Sequence, residues 1–218
     1  MKYFLCFLVL LISMNSFSQK GYKVTYTREE EYVWPFTVNQ EEHKENSVLW
    51  YNIIFNDSIS FSFISKTRNQ NWKKYCKPGA SKVLHHSTFF KRFSNELFDG
   101  VAYPDSQHPF FIHNTPSAGP VHIDSTIKRY KEWRCREAYT ILNTGDTLFA
   151  LLAIDYPYPY GPLNYIHFPF LPVEIYYPRI DLHLQAKKIE EGDFAIFIPS
   201  GIAVITRNEF NKIKKVED

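Results

Sequence analysis

The chain has 218 residues and a formal charge of +2 at pH 7, from 25 Lys and Arg against 23 Asp and Glu. The two signs are interspersed rather than blocked, which excludes a phosphate-tracking groove and with it a nucleic-acid partner. With 15 Tyr, 19 Phe and 4 Trp against 2 Met and 8 Gly, the composition leans toward β-sheet. Aromatic rings fit a pleated, half-buried surface and lose rotamer freedom in helices.

The chain begins with the charge of Lys2, the unbroken apolar run Phe4 to Ile12, and the small residues Ser16 and Ser18 around Phe17. This is the layout of a secretory signal peptide over residues 1–18, cleaved before Gln19. The run is far shorter than the about 20 residues a helix needs to span a bilayer. Export to the periplasm, the outer envelope or the extracellular space is therefore expected, with no membrane span after signal removal. Taking 18 residues from 218 leaves 200, and losing Lys2 lowers the charge from +2 to +1. That length suits a single β-rich domain over residues 19–218.

In the remaining chain, Tyr22, Val24 and Tyr26 alternate with Lys23, Thr25 and Thr27, a strand with one buried face. Val48 to Ile64 reads as a hairpin, because Asn56-Asp57-Ser58 is turn chemistry between an apolar run and the alternating Ile59, Phe61 and Phe63. Asn56 also matches a glycosylation acceptor, although the turn reading suffices. Lys77-Pro78-Gly79 marks another turn, and Val83 to Phe93 suits a strand without a clear period. Tyr103 to Gly119, with three prolines, reads as a long connection, a candidate lid or partner surface. Asn143-Thr144-Gly145-Asp146 predicts a second hairpin leading into the apolar strand Leu148 to Ile154.

Tyr156 to Pro178 holds six of the chain's 13 prolines and many aromatic rings. Proline cannot donate to a ladder, so the segment is not expected to be central strand. Too aromatic for a free linker, it is expected to lie irregularly over the core; the other reading is a polyproline-type partner ligand. Phe194, Ile196 and Ile198, the turn Pro199-Ser200-Gly201, and Ile202, Val204 and Thr206 predict a third hairpin. Asn208 then serves as N-cap for a short helix to Val216. The expected fold is mostly β: an antiparallel curved sheet or half-barrel-like single domain with a short C-terminal helix.

Gly161-Pro162, followed by Phe168-Pro169-Phe170-Leu171-Pro172-Val173-Glu174-Ile175, resembles the signature of the GLPGLI family of exported bacterial proteins. Ile127, Tyr130, Cys135 and Ala138 fit that family's upstream pattern, and Ala186 and Ile189 its next strand. The retained motif positions are Gly161, Pro162, Pro169, Leu171 and Glu174, whereas His167 and Phe170 replace the two motif glycines and Pro172 the isoleucine. The resemblance implies export and no particular chemistry, since the family is defined by sequence rather than by an activity.

Once Cys6 leaves with the signal, Cys76 and Cys135 remain, candidates for one disulfide in an oxidising compartment. The alternative is two unpaired buried thiols. The eight histidines, at 43, 85, 86, 108, 113, 122, 167 and 183, show no metal-ligand spacing, so no metal or cofactor is expected. No nucleophile elbow, phosphate loop or dinucleotide glycine set occurs. The favoured expectation is a cell-envelope protein without recognisable catalytic machinery, binding a hydrophobic ligand or an envelope partner protein. An exported hydrolase of unrecognised type is the alternative. It would need converging carboxylate, His or Ser groups in a pocket.

Overall fold

The computed structural model describes residues 20–28, 49–65, 71–77, 79–80, 82, 84, 86–101, 109–115, 119–164 and 168–217. The signal segment 1–18 and His43, His85, His108 and His167 lie outside them. Strands follow in chain order as β1 (Lys20–Arg28), β2 (Trp50–Phe55), β3 (Ile59–Ser65), β4 (Ser87–Lys91), β5 (Glu96–Val101), β6 (Phe110–Asn114) and β7 (Val121–Ile123). Then come β8 (Lys128–Tyr130), β9 (Trp133–Ile141), β10 (Thr147–Ala153), β11 (Leu171–Tyr177), β12 (Leu182–Asp193) and β13 (Ala203–Thr206), before the terminal helix α1 (Arg207–Glu217).

The 13 strands of the described residues belong to one open sheet, in the order β13-β6-β5-β4-β3-β2-β1-β12-β11-β10-β9-β7, with β8 also on β9. Its end strands do not meet, so it is not a closed barrel. The architecture is the expected mostly-β, antiparallel-dominated one, with a short C-terminal helix as the single α-helix among the described residues. β1 carries the long-range closure: β2 flanks it on one side and β12 on the other, pairing Tyr22 with both Phe55 and Glu191.

Adjacent residues on β2 point into different cores. Ile53 joins a cluster with Val24, Tyr26, Leu152 and Leu184, while Ile54 joins Phe61, Phe89 and Phe111 on the opposite face. In the second cluster, Phe61 stacks on Phe89 at 4.5 Å between ring centroids. Sheet alternation thus buries both faces of the middle strands, and two separate coverings are needed.

The segment before β11 covers the first cluster, as its composition predicts. Tyr160 and Phe168 are fully buried, and Tyr160 lies 5.1 Å from the Phe55 ring and donates to the Asp57 carbonyl at 3.3 Å. A one-turn 3-10 segment at Trp72–Tyr75 and the extended residues 194–202 cover the second cluster.

The turns at 56–58 and 143–146 form hairpins as expected. Asn56 Oδ1 accepts from the amides of Ser58 and Ile59 at 3.0 and 3.1 Å, so its side chain is occupied by the turn. Gly145, at φ 84°, lets the second turn close, its amide donating to the Leu142 carbonyl at 2.8 Å.

Several expectations require correction. The third hairpin does not form: Phe194 to Ile198 keep the alternating burial but have no ladder partner. They lie across the second cluster, with the Phe197 amide donating to the Cys76 carbonyl at 3.1 Å. After the turn, β13 pairs in parallel with β6 instead. The long connection 103–119 therefore contains a strand, β6, which pairs with β5 as well.

Part of the proline-rich segment is central strand after all, since β11 lies between β10 and β12. Pro172 is accommodated because the β10 register slips there, Leu152 opposing Pro172 and Leu151 opposing Glu174, and because β12 pairs only with Glu174–Tyr177. The Pro172 carbonyl accepts from the Tyr26 hydroxyl at 2.7 Å.

The helix is capped two residues earlier than Asn208 implies. The Thr206 hydroxyl accepts from the Glu209 amide at 3.2 Å, and the Glu209 carboxylate accepts from the Thr206 amide at 2.7 Å, a reciprocal capping box.

No disulfide forms. Cys76 and Cys135 are buried free thiols in different clusters. Burial pushes the Cys76 thiol up to about 12 and the Cys135 thiol up to about 11.

Candidate functional site

A half-buried antiparallel sheet should show polar side chains on its open face. The face formed by β7, β9, β10, β11 and β12 departs from this. Along one line of register, His122 opposes Tyr139, Tyr139 opposes Phe149, Phe149 opposes Tyr176, and Tyr176 opposes His183. Successive ring centroids are 4.6, 6.3, 6.4 and 5.8 Å apart. The row runs straight across five strands, about 19 Å at the usual strand spacing. Tyr139, Phe149 and Tyr176 are 39%, 43% and 40% exposed, so each ring shows much of its surface to solvent.

The backbone explains how the rings come to face outward. On β9, Ala138 and Thr140 are buried on either side of Tyr139, and on β10 Leu148 and Ala150 are buried around Phe149. The turn at 143–146 sets Ile141 opposite Thr147 and hence Tyr139 opposite Phe149. The slip at Pro172 sets the β11 register, leaving Val173 and Ile175 in the core and Glu174 and Tyr176 on the open face.

Two residues away along the strands lies a second line: Glu137 on β9, Leu151 on β10, Glu174 on β11 and Gln185 on β12, each opposite the next. Asp124 follows β7 beside it, its amide donating to the Glu137 carbonyl at 2.8 Å. Rings and carboxylates together line a groove of about 730 Å³, to which His122, Asp124, Glu137, Tyr139, Phe149, Leu151, Glu174 and Tyr176 contribute.

The carboxylates are compensated locally. Lys128 Nζ lies 2.7 Å from Glu137 Oε1, and His183 Nε2 is hydrogen-bonded to Glu174 Oε1. The Thr126 amide, 2.7 Å from Asp124, holds that carboxyl below the usual range, with help from Lys128 and Arg136. Among the described residues no Ser, Thr, Cys or Lys lines the groove. Among the described residues no three His, Cys, Asp or Glu side chains converge as a metal site.

The motif positions do not gather into one site. Gly161 and Pro162 are buried at the start of a 3-10 turn against the first cluster's strands, Pro169 is exposed, and Leu171 is fully buried. Of these positions, Glu174 alone lines the groove. The aromatic row escaped the sequence reading, although a signal existed. The hairpin at 143–146 pairs Tyr139 with Phe149 once its register is counted out, and the continuous apolar run Leu148–Leu152 cannot have a polar outer face.

No protein-family model matches the chain, and no curated protein matches it. Among solved structures, PNGF-II is similar in two crystal forms, C2 and P21. Both superpose with a TM-score of 0.61 at 13% identity, over 91% and 89% of this chain. The chain spans only 33% of the length of PNGF-II. A conserved uncharacterised protein from Thermus thermophilus aligns over 92% of this chain with a TM-score of 0.43 and 8% identity, covering 98% of that chain. At these identities the likeness to PNGF-II is one of fold, extending over nearly the whole of this chain and a third of that one.

Proposed function

We propose that this is an exported, non-catalytic protein of the cell envelope, a divergent relative of the GLPGLI family, whose groove over the aromatic row binds a ligand that offers the rings an apolar face. The observation that carries the reading is the row itself. Three large rings kept about 40% exposed in line, inside a concavity of ligand size, lose hydration free energy that a purely structural face would recover with polar residues. The absence of a catalytic motif in the sequence supports binding over hydrolysis, as does the engagement of the groove carboxylates Glu137 and Glu174 by Lys128 and His183. The charged start and short apolar run of residues 1–18 support export.

A neutral apolar dye tests the site. Nile red should brighten and shift to the blue with the wild-type protein, and the double substitution Tyr139→Ala/Phe149→Ala should weaken its binding by about tenfold or more. Both rings are half exposed, so the melting temperature should change little. Equal dye binding by both proteins would remove the groove from the reading.

A further inference from the structure

We infer that the ligand of this groove is a neutral, linear oligosaccharide lying across the strands. This inference rests on the reading of the groove as a binding site and specifies its substrate class. Three observations point to it.

The first is the presence of two parallel lines of different chemistry. One is aromatic: His122, Tyr139, Phe149, Tyr176 and His183 in register. The other carries Glu137, Glu174 and Gln185, with Leu151 between the two carboxylates. They are two residues apart along each strand, which is about 7 Å. A molecule lying across the strands touches rings along one edge and hydrogen-bond acceptors along the other, over the same length. Saccharide rings have this character, with apolar C–H surfaces and hydroxyl donors at their rims, repeated along the chain. A fatty acyl chain would cover these acceptors without offering them a hydrogen bond, which costs desolvation that a hydroxyl-bearing ligand offsets.

The second is charge. Glu137 Oε1 faces Lys128, and Glu174 Oε1 faces His183. Each carboxylate thus has a basic side chain hydrogen-bonded to its Oε1, and both residues line the groove. Carboxylates accept hydroxyl hydrogen bonds well, and with Lys128 already paired to Glu137 the lining favours an uncharged hydroxyl donor over a cationic ligand. An anionic ligand would meet three carboxylates, at Asp124, Glu137 and Glu174, with no Lys or Arg lining the groove.

The third is extent. The rings that line the groove, His122, Tyr139, Phe149 and Tyr176, span four strands, about 14 Å, whereas a single small ligand would need only two or three rings. A repeating ligand uses a repeating platform, and the ring spacing of 4.6 to 6.4 Å supplies one.

The mature protein should be applied to an array of neutral linear hexasaccharides beside charged glycans, together with Phe149→Ala, Glu174→Ala and the control Phe93→Ala, whose ring lies exposed at the β4–β5 turn. The expected result is retention of at least one neutral hexasaccharide, weakened about tenfold or more by Phe149→Ala and by a smaller factor by Glu174→Ala. Phe93→Ala should bind like the wild type, and the bound saccharide should displace Nile red. Retention of charged glycans alone, or of a hexasaccharide equally by Phe149→Ala, overturns the inference. If no saccharide is retained while Nile red binding still depends on Phe149, the ligand class is wrong and the groove reading stands. If neither probe depends on Phe149, both fall together.

Discussion

Tyr26 and the two cysteines show what burial does to single groups in this chain. Tyr26 is fully buried, and its hydroxyl reaches the Pro172 carbonyl at 2.7 Å, so its desolvated proton is held well above the usual phenol range. Cys76 and Cys135 have no comparable acceptor among the described residues. The Cys76 thiol reaches the Trp72 carbonyl only at 3.7 Å, and burial is the main cause raising both thiols. The native protein should therefore be inert to a disulfide-exchange thiol reagent at about pH 8, since the thiolate is the nucleophile. After unfolding without reductant, both cysteines should react; failure of either to label would restore a disulfide. The raised values also predict a pH dependence. Above the ordinary thiol value of 9.0, the unfolded chain ionises at Cys135 and Cys76 while the folded chain does not until about 11 and about 12. Their contribution to stability is thus constant below pH 9 and declines as pH rises through that window. A denaturation series from neutral to alkaline pH checks the direction.

The elements depend on local chemistry at their ends and on distant partners in their middles. Helix α1 starts at the Thr206–Glu209 capping box, with Arg207 reaching back to Asp99 at 3.2 Å and to Asn114 at 3.3 Å. Thr206→Ala removes the hydroxyl that receives the Glu209 amide, and should cost about 1 kcal/mol. Amide exchange should accelerate over residues 207–210 while the β1–β2 core stays protected; unchanged exchange there would show that the helix is held by Arg207 alone. The capping box is legible in the sequence as Thr-Arg-Asn-Glu, yet Asn208 competes as a plausible cap two residues later. Asp99 and Asn114 on β5 and β6 fix the choice by positioning Arg207. Pro172 illustrates the opposite case. Its missing amide argues against strand, and the strand forms only because a bulge and a shortened β12 pairing spare that amide. Neither feature is local to Pro172.

At the scale of the molecule, the charged start and the short apolar run predict that residues 1–18 are removed on export. Intact mass of the protein from its native cell should correspond to a chain beginning at Gln19, and a mass beginning at Met1 would refute the signal-peptide reading. The whole sheet also explains where so many aromatic residues are placed. The middle strands bury rings on both faces, one covered by Tyr160 and Phe168 and the other by the Trp72 turn and residues 194–202. Toward β7 to β12 a face stays open, and there the rings lie side by side in the groove.

Three kinds of information were legible in the residues themselves: the period-two alternation of Tyr22–Tyr26, the turn chemistry of Asn56 and Gly145, and the need of Tyr160 and Phe168 for burial. Each depends on interactions within a few residues or on hydrophobicity alone, so each survives without knowledge of the partners. The parallel pairing of β13 with β6, the separation of Cys76 from Cys135, and the strand at Pro172 depend on which segments meet, and alternation carries no address for a partner. The candidate site belongs to both classes. The pairing of Tyr139 with Phe149 is countable from the 143–146 turn, but Tyr176, His183 and His122 join them only when β11, β12 and β7 are placed at fixed register. That register is set by the Pro172 bulge and the packing of Val173 and Ile175 into the core, because a slip of one residue would turn the whole row inward.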